Sequence, residues 1–412
     1  MKEIKGGVCA ARGFRAGGVW CGIKASDRKR DLGLIYSEKT CTAAALFTTN
    51  LVKAASVLVS AEHLKRGRLH GVIANSGNAN ACTGEAGIQA ARRMAALAAD
   101  EFALSPGDFA VASTGVIGVP LPIEKIEAAV PSLVNALNNE QAGHDAALEA
   151  IMTTDTRRKD IAVECEIAGK AVRFGAMTKG SGMIHPSMAT MLCFISTDCA
   201  IRGELLDRAL RKAAGLSFNR LSVDGDTSTN DMVLVMANGA SGNEPIEAEG
   251  SDYKIFEETL TFLCVKLARA MARDGEGATK LVTVKVSGAG SEAEAETLAK
   301  SVVSSSLVKA ACFGADANWG RVLCAMGYAG VSFNPDETSV DFAGTAGGKN
   351  AGLITVFKNG IPVKFSEEEA KRVLSGEEIE IRISAGSGSG FAEVWGCDLS
   401  YDYVKINGDY RS

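Results

Sequence analysis

The chain has 412 residues, of which 46% are hydrophobic and 23% are charged, and its formal net charge is −5. This is the composition of an ordinary globular protein, and the mild acidity excludes a nucleic-acid binder that depends on bulk positive charge. No stretch approaches the roughly 18 uninterrupted apolar residues of a membrane span, and no apolar secretory signal is visible near Met1, so we expect a soluble cytoplasmic protein.

Short runs rich in Val and Ile predict β-strands along the whole chain. In chain order they are Val19–Lys24, Leu32–Ser37, Gly71–Asn75, Phe109–Ser113, Met191–Ser196, Met232–Ala237, Leu281–Ser287, Leu353–Lys358 and Glu378–Ser384. Two more, Ile161–Ile167 and Ala171–Met177, are joined by a short link containing Gly169, which predicts a β-hairpin. The hairpin indicates that part of the sheet structure is antiparallel.

Apolar residues at helical spacing predict amphipathic helices between these strands. The helices are Glu85–Asp100, Ile123–Asn138, Glu204–Gly215, Tyr253–Arg273, Glu292–Lys309 and Glu367–Leu374. Ser366, with Glu369 three residues later, predicts a capping box at the start of the last helix. The chain is therefore predicted to be α/β (α+β), with helices layered around mixed and antiparallel sheets and no domain boundary visible in the sequence.

The 11 cysteines contain no C-x-x-C pair, and the four histidines form no H-E-x-x-H motif. Cysteines without such spacing are typical of small buried side chains in a reducing compartment. We therefore expect neither a disulfide framework nor a metal site.

The densest chemical signal is the segment Met177–Leu192, in which Gly180, Gly182 and Pro186 precede Ala189 and Thr190. Such a segment can place one small hydroxyl residue at the mouth of a buried strand. The spacing alone favours a plainer interpretation, in which a threonine simply begins a strand. Four other stretches also place small polar residues between apolar strands: Gly71–Gly84, Val111–Gly118, Met152–Thr156 and Ser217–Asn230. Each alone is typical of a turn whose hydroxyl groups are satisfied locally.

Taken together, these stretches resemble the ornithine acetyltransferase (glutamate N-acetyltransferase) family of arginine biosynthesis, known as ArgJ. The resemblance covers nearly the whole chain, and the departures from the family pattern, at Gly408 and Ser412, are minor. The matching stretches are Asn75–Cys82, Ser113–Gly118, Met152–Thr156, Lys179–Leu192, Asp224–Asp231, Arg273–Lys280, Phe313–Arg321 and Tyr403–Ser412.

The resemblance implies an acyltransferase with a self-processing, N-terminal-nucleophile architecture. It would move the acetyl group of N2-acetyl-L-ornithine to L-glutamate, giving L-ornithine and N-acetyl-L-glutamate through a covalent acetyl-enzyme. It also implies self-cleavage between Ala189 and Thr190, which divides the chain into an alpha chain, 1–189, and a beta chain, 190–412. Two copies of each chain would assemble. No cofactor is implied, and whether acetyl-CoA also serves as acetyl donor stays open.

By residue match, Thr190 is the nucleophile, and the hydroxyl of Thr114 and the N–H of Gly115 form the oxyanion hole. The α-amino group released at Thr190 would act as the base, because such amines titrate near pH 7.7–8.0 in model peptides. The implied substrate contacts are Thr153, Lys179, Thr190, Glu276, Asn407 and Ser412.

Both substrates present an α-carboxylate, while their side chains end in opposite charges. We therefore expect Lys179 to pair with the carboxylate and Glu276 to face an amine. Without the resemblance, the simpler interpretation of Lys179 and of Glu276 would be a charged residue on the surface.

Four alternatives remain at this point. One is a self-processing aminopeptidase of related architecture, which would hydrolyse its substrate, and another is a subunit of an assembly without enzymatic activity. A serine acyl enzyme would use the S-x-x-K match Ser306–Lys309, and a dinucleotide binder would use the glycines of Gly386–Gly390.

Overall fold

The computed structural model describes residues 1–26, 29–185, 191–346 and 348–408. The chain forms two compact units, each assembled from segments far apart in the sequence. The first unit comprises Met1–Gly180, Ser187–Asn219 and Thr227–Leu267, and the second comprises Ser181–Pro186, Arg220–Asp226 and Ala268–Ser412.

Strands and helices alternate irregularly, as expected for an α+β chain. The strands of the described residues are β1 (Lys2–Ile4), β2 (Phe14–Val19), β3 (Leu32–Phe47), β4 (Arg68–Asn78), β5 (Phe109–Val116), β6 (Asp160–Ile167), β7 (Lys170–Lys179), β8 (Leu192–Thr197), β9 (Leu221–Ser222), β10 (Met232–Ala237), β11 (Leu281–Ala289), β12 (Ser339–Ala346), β13 (Lys349–Lys358), β14 (Ile361–Pro362), β15 (Glu378–Ser384) and β16 (Gly390–Cys397). The helices are α1 (Ala55–His63), α2 (Gly84–Asp100), α3 (Ile123–Asn135), α4 (Gln141–Ile151), α5 (Gly203–Gly215), α6 (Ser251–Arg273), α7 (Glu292–Ser304), α8 (Ser306–Phe313), α9 (Trp319–Gly327), α10 (Glu367–Leu374) and α11 (Tyr401–Asn407).

The first unit is built on a sheet of nine described strands, in the order β1-β6-β7-β8-β10-β3-β4-β5, with β2 also paired to β3. The pairs β8–β10 and β4–β5 are parallel, and the other pairs are antiparallel. Every residue of β8 and β10 is buried, which explains why their sequences are nearly continuous apolar runs. Helices α4 and α5 pack on β3.

The second unit has a sheet of seven described strands in the order β14-β13-β12-β15-β11-β16-β9. Helix α7 packs on β11 and β16. The core lies between them, and Val284, Val394, Leu298 and Val302 are each fully buried there. The sheet therefore has one apolar face covered by helix.

The prediction of a mixed α/β fold is confirmed. The predicted hairpin is β6 and β7, paired antiparallel from Ile167 and Lys170. The predicted start of α10 is also confirmed, because the Ser366 hydroxyl accepts the Glu369 N–H at 3.2 Å. Buried cysteines such as Cys193, Cys264 and Cys312 match the expectation that these side chains act as small core residues.

The strand predicted at Val19–Lys24 is wrong, because the strand is β2 and ends at Val19. The following residues fold around a carboxylate: the N–H groups of Cys21 and Lys24 donate to Asp31 at 2.6 and 2.8 Å. The glycines of β2 concealed the strand from a propensity argument. A Cβ on Gly18 would lie 2.1 Å from the Ala146 carbonyl oxygen, so the close approach of α4 requires glycine.

The single helix predicted at Glu292–Lys309 is two helices, α7 and α8. Ser305 has an extended backbone, with ψ near 116°, which ends α7. Its hydroxyl then accepts the Val308 N–H and caps the start of α8. The apolar pattern continues through the break, which is why helical spacing alone did not show it.

No helix among the described residues is long and apolar enough to cross a membrane.

Candidate active site

The predicted oxyanion residues lie at the end of β5 in the first unit. Thr114 is 6% exposed. Gly115 has a backbone φ of +135°, a conformation that residues other than glycine rarely adopt. A Cβ on Gly115 would lie 2.3 Å from the carbonyl carbon of Gly77 on β4. Only glycine therefore fits beside β4 at this position.

A network of buried amides holds this strand end in place. The Ser113 hydroxyl donates to Asn75 Oδ1 at 2.7 Å. Asn230 Nδ2 donates to the carbonyl oxygens of Ser113 at 2.7 Å and Ala79 at 2.6 Å. Because Asn75, Ser113 and Asn230 are all buried, these bonds are shielded from water. Asn75 and Asn230 thus support the backbone on which Thr114 and Gly115 lie.

Lys179 and Thr114 are brought together although they are 65 residues apart in the sequence. Lys179 is the last residue of β7 and is 4% exposed, and its Nζ donates to Thr114 Oγ1 at 3.2 Å. An ammonium group is only a donor, so the Thr114 oxygen is the acceptor in this bond. The Thr114 hydrogen is then available for another acceptor, as an oxyanion hole requires.

Asp155 organises the same region and was not predicted as a site residue. Its carboxylate accepts the N–H of Thr153 at 3.0 Å and of Gly180 at 2.8 Å, and it pairs with the buried ammonium of Lys159. Burial alone would raise the pKa of Asp155, but the charges of Lys179 and Lys159 and the Gly180 amide outweigh it and lower that pKa to about 2. Asp155 therefore stays ionised and joins two of the predicted substrate contacts, Thr153 and Lys179.

Lys24 is a second residue that sequence reasoning missed, since it fell in a predicted strand. Its Nζ donates to the carbonyl oxygens of Met152 at 2.7 Å and Arg30 at 2.9 Å. Burial lowers the pKa of Lys24 to about 8, although Asp31 acts in the opposite direction. No local pattern distinguishes this lysine from a surface charge.

Two further predicted site residues meet in the second unit. Glu276 is 8% exposed, and its Oε2 accepts from Asn407 Nδ2 at 2.8 Å. The Glu276 N–H donates to the Ser181 carbonyl at 2.8 Å, and a Cβ on Gly182 would lie 2.3 Å from Glu276 Oε2. Glycine at 182 is therefore needed for the carboxylate to pack against this segment.

The residues just before the predicted cleavage site are also held by a carboxylate. Asp224 accepts the N–H groups of Met183 and Ile184, the latter at 2.8 Å. His185 Nδ1 lies 3.1 Å from the Ser222 hydroxyl, and burial lowers the pKa of this histidine. A histidine whose pKa is lowered and whose ring is hydrogen-bonded to a serine fits a structural role better than a catalytic one.

The remaining predicted residues, Ala189, Thr190 and Ser412, lie outside the described residues. Their roles, and the division into chains 1–189 and 190–412, stay predictions.

Two of the alternative sites lack the geometry that their chemistry needs. Ser306 is exposed at the start of α8, whereas Lys309 is buried and donates to the Cys397 carbonyl. Lys309 therefore does not activate that serine. The glycines after Gly386 lead into strand β16 from Gly390, and a dinucleotide site needs a helix there.

The profile of the ArgJ family matches residues 15–412 of this chain. Over 413 aligned residues the chain is 49% identical to the arginine biosynthesis bifunctional protein ArgJ of Symbiobacterium thermophilum, with 100% of both proteins covered. It is also 49% identical to the arginine biosynthesis bifunctional protein ArgJ 1 of Clostridium acetobutylicum, covering 97% of this chain and 96% of that protein. Among solved structures, the ornithine acetyltransferase of Mycobacterium tuberculosis complexed with ornithine is 40% identical, covers 45% of this chain and 98% of that one, and has a TM-score of 0.42.

Proposed function

The chain belongs to the ArgJ family, and from this premise we propose that it is an acyltransferase of arginine biosynthesis. It moves the acetyl group of N2-acetyl-L-ornithine to L-glutamate and releases L-ornithine and N-acetyl-L-glutamate. The observation that carries this proposal is the buried Lys179–Thr114 pair, in which Lys179 orients a hydroxyl donor at the end of β5. Relatives named for arginine biosynthesis along the full length of the chain support it.

The proposed catalyst is made by self-cleavage. The Thr190 hydroxyl attacks the Ala189 carbonyl, an N-to-O acyl shift gives an ester, and water releases the alpha chain. The beta chain then begins with Thr190, whose α-amine activates its own hydroxyl. We further propose two copies of each chain in the assembled enzyme, and the cytoplasm as its location.

The acetyl group then passes through an ester on Thr190. The tetrahedral intermediate carries negative charge on the former carbonyl oxygen, and the Thr114 hydroxyl and the Gly115 N–H stabilise it. Lys179 binds the α-carboxylate that both substrates share. Glu276 faces the side-chain amine of the ornithine substrate, and Thr153, Asn407 and Ser412 supply further polar contacts.

Thr114→Ala should lower kcat by about 10²–10³-fold, the effect of losing one oxyanion donor, with a smaller change in KM. Both kcat and KM are obtained from steady-state rates measured while the concentrations of both substrates are varied. Thr261→Ala is the matched control, because it removes a threonine hydroxyl that donates to the Glu257 carbonyl on α6 at 2.8 Å, away from the predicted oxyanion residues. A change confined to KM in Thr114→Ala would assign that hydroxyl to ground-state binding.

The proposed function is tested by the kinetic pattern. If Thr190 carries the acetyl group, ornithine leaves before glutamate reacts, and double-reciprocal plots at several glutamate concentrations should be parallel. N-acetylornithine alone should add one acetyl group to the beta chain, and glutamate should remove it. Intersecting lines without an adduct would contradict the covalent mechanism.

Two further assays distinguish the proposed transferase from the remaining alternatives. An aminopeptidase would release amino acid from a peptide substrate and form no N-acetylglutamate when glutamate is present. Replacing N-acetylornithine by acetyl-CoA tests whether the enzyme has a second acetyl donor. We propose that transfer from N2-acetyl-L-ornithine is the main activity. Acetyl-CoA carries phosphate groups, and the sequence shows no phosphate-binding loop.

A further inference from the structure

Lys24 is a half-buried lysine that the mechanism described so far does not use. It lies in the segment between β2 and β3, where its N–H donates to Asp31 Oδ2 at 2.8 Å. The N–H of Cys21 donates to the other oxygen of the same carboxylate at 2.6 Å. Because Asp31 is fully buried, these bonds are shielded from water and fix the backbone from which the Lys24 side chain extends.

The carbon stem of Lys24 lies against the strands that carry the predicted oxyanion residues. A Cβ on Gly77 would lie only 3.2 Å from Lys24 Cγ. Gly77 is the residue of β4 that lies opposite Gly115 of β5, and a Cβ on Gly115 would lie 2.3 Å from the Gly77 carbonyl carbon. The two glycines therefore let the Lys24 stem, β4 and β5 pack directly against one another.

The ammonium group of Lys24 reaches the end of α4. Its Nζ donates to the carbonyl oxygens of Met152 at 2.7 Å and Arg30 at 2.9 Å. Helix α4 ends at Ile151, and Met152 has an extended backbone with ψ near 144°. Carbonyl groups at the end of a helix lack partners within it, and a cation is favoured there. Lys24 thus binds the carbonyl of the residue that joins α4 to Thr153.

A short series of contacts leads from this carbonyl to Lys179. Met152 is bonded to Thr153, whose N–H donates to Asp155 Oδ2 at 3.0 Å. Asp155 Oδ1 accepts the Gly180 N–H at 2.8 Å, and Gly180 directly follows Lys179. A displacement of the Met152 carbonyl would therefore be transmitted to two predicted substrate contacts, Thr153 and Lys179.

We propose that Lys24 is a positioning residue of the substrate site. Its side chain joins the strand end at Gly77 to the segment that begins at Thr153. It thereby holds Thr153 and Lys179 where both substrates present their α-carboxylate. This inference rests on the proposed function, which assigns substrate contacts to those two residues. A lysine that only capped α4 would stabilise the fold without affecting the binding of substrates.

The test begins with Lys24→Met, which keeps a stem of similar length beside Gly77 but has no ammonium group. KM should rise about tenfold for both N2-acetyl-L-ornithine and L-glutamate, the scale of losing a hydrogen bond from a charged group, while kcat changes little. Lys24→Ala also removes the stem and should raise KM at least as much. Steady-state rates and the midpoint of thermal unfolding are measured for each variant.

Lys125→Met is the matched control. Lys125 is exposed on α3, and its Nζ donates to the Gly22 carbonyl at 2.7 Å. The substitution therefore removes the same kind of bond to the same segment between β2 and β3, but leaves the bond from Lys24 to Met152 in place. Its KM values for both substrates should equal those of the wild type.

Equilibrium binding of L-ornithine and of L-glutamate, measured by calorimetry, does not depend on turnover. Lys24→Met should bind both about tenfold more weakly than the wild type does. Wild-type affinities and KM values in Lys24→Met, with or without a lower unfolding midpoint, would overturn the proposal. An equal rise in KM in Lys125→Met would also overturn it.

Failure of the proposed function gives a different result. If the wild type binds both amino acids but transfers no acetyl group, the proposed function is refuted, and the binding comparison still decides the role of Lys24. A wild type that binds neither amino acid would refute both proposals.

Discussion

Thr190→Ala is expected to remain one uncut chain and to transfer no acetyl group. Alanine has no hydroxyl, so neither the acyl shift nor the acetyl ester can form. The loss should be complete within the detection limit, because both the nucleophile and the α-amine that activates it are missing. Intact mass and product assay on the same preparation measure the two effects together.

Controls separate this loss from general damage. Thr190→Ser keeps a hydroxyl and should still process, although more slowly. Thr297→Ala removes a hydroxyl on α7 that donates only to the helix carbonyl of Ala293 at 2.8 Å, and it should process and react normally. Full transferase activity in uncut Thr190→Ala would remove Thr190 from the mechanism.

Deletion of residues 407–412 should abolish transfer while leaving self-cleavage intact. Chain ends are usually expendable, but Asn407 donates to Glu276 Oε2 at 2.8 Å and to the Tyr403 carbonyl at 3.1 Å. Without Asn407, the nearly buried Glu276 carboxylate loses this charge-assisted bond and its orientation toward a substrate amine. Self-cleavage should continue, because the groups assigned to it are Thr190 and the oxyanion donors.

The truncated protein should therefore appear as two chains by intact mass yet form no N-acetylglutamate. Asn407→Ala in the full-length chain should reproduce part of this loss, mainly as a higher KM for N-acetylornithine. Lys405→Ala, on the exposed side of α11, is the matched control and should be unaffected. Near-normal transfer by the truncated protein would exclude both Asn407 and Ser412 from the site.

Several elements of the fold could be read from local patterns. The apolar runs of β8 and β10, the hairpin of β6 and β7, and the long helix α6 all follow from side-chain periodicity, because each pattern reports the burial of its own element. Some other elements could not be predicted from side-chain periodicity. Helix α9 is short and is capped by Asn318, whose side chain accepts the Arg321 N–H. The pairing of β12 with β13 is interrupted by register shifts. Neither element therefore carries a long regular pattern.

The candidate residues came from the family resemblance, since spacing alone favoured ordinary turns and surface charges. The sequence by itself determined the fold class, most of the buried strands and the family of the chain. Only the tertiary structure placed Lys179 beside Thr114 and Asn407 beside Glu276. The physical reason is that local patterns report which face of an element is buried, whereas these contacts depend on which strands become neighbours in a sheet. Asp155 follows the same rule in part, because the Gly180 N–H and the charge of Lys179 reach it only through the position of β7.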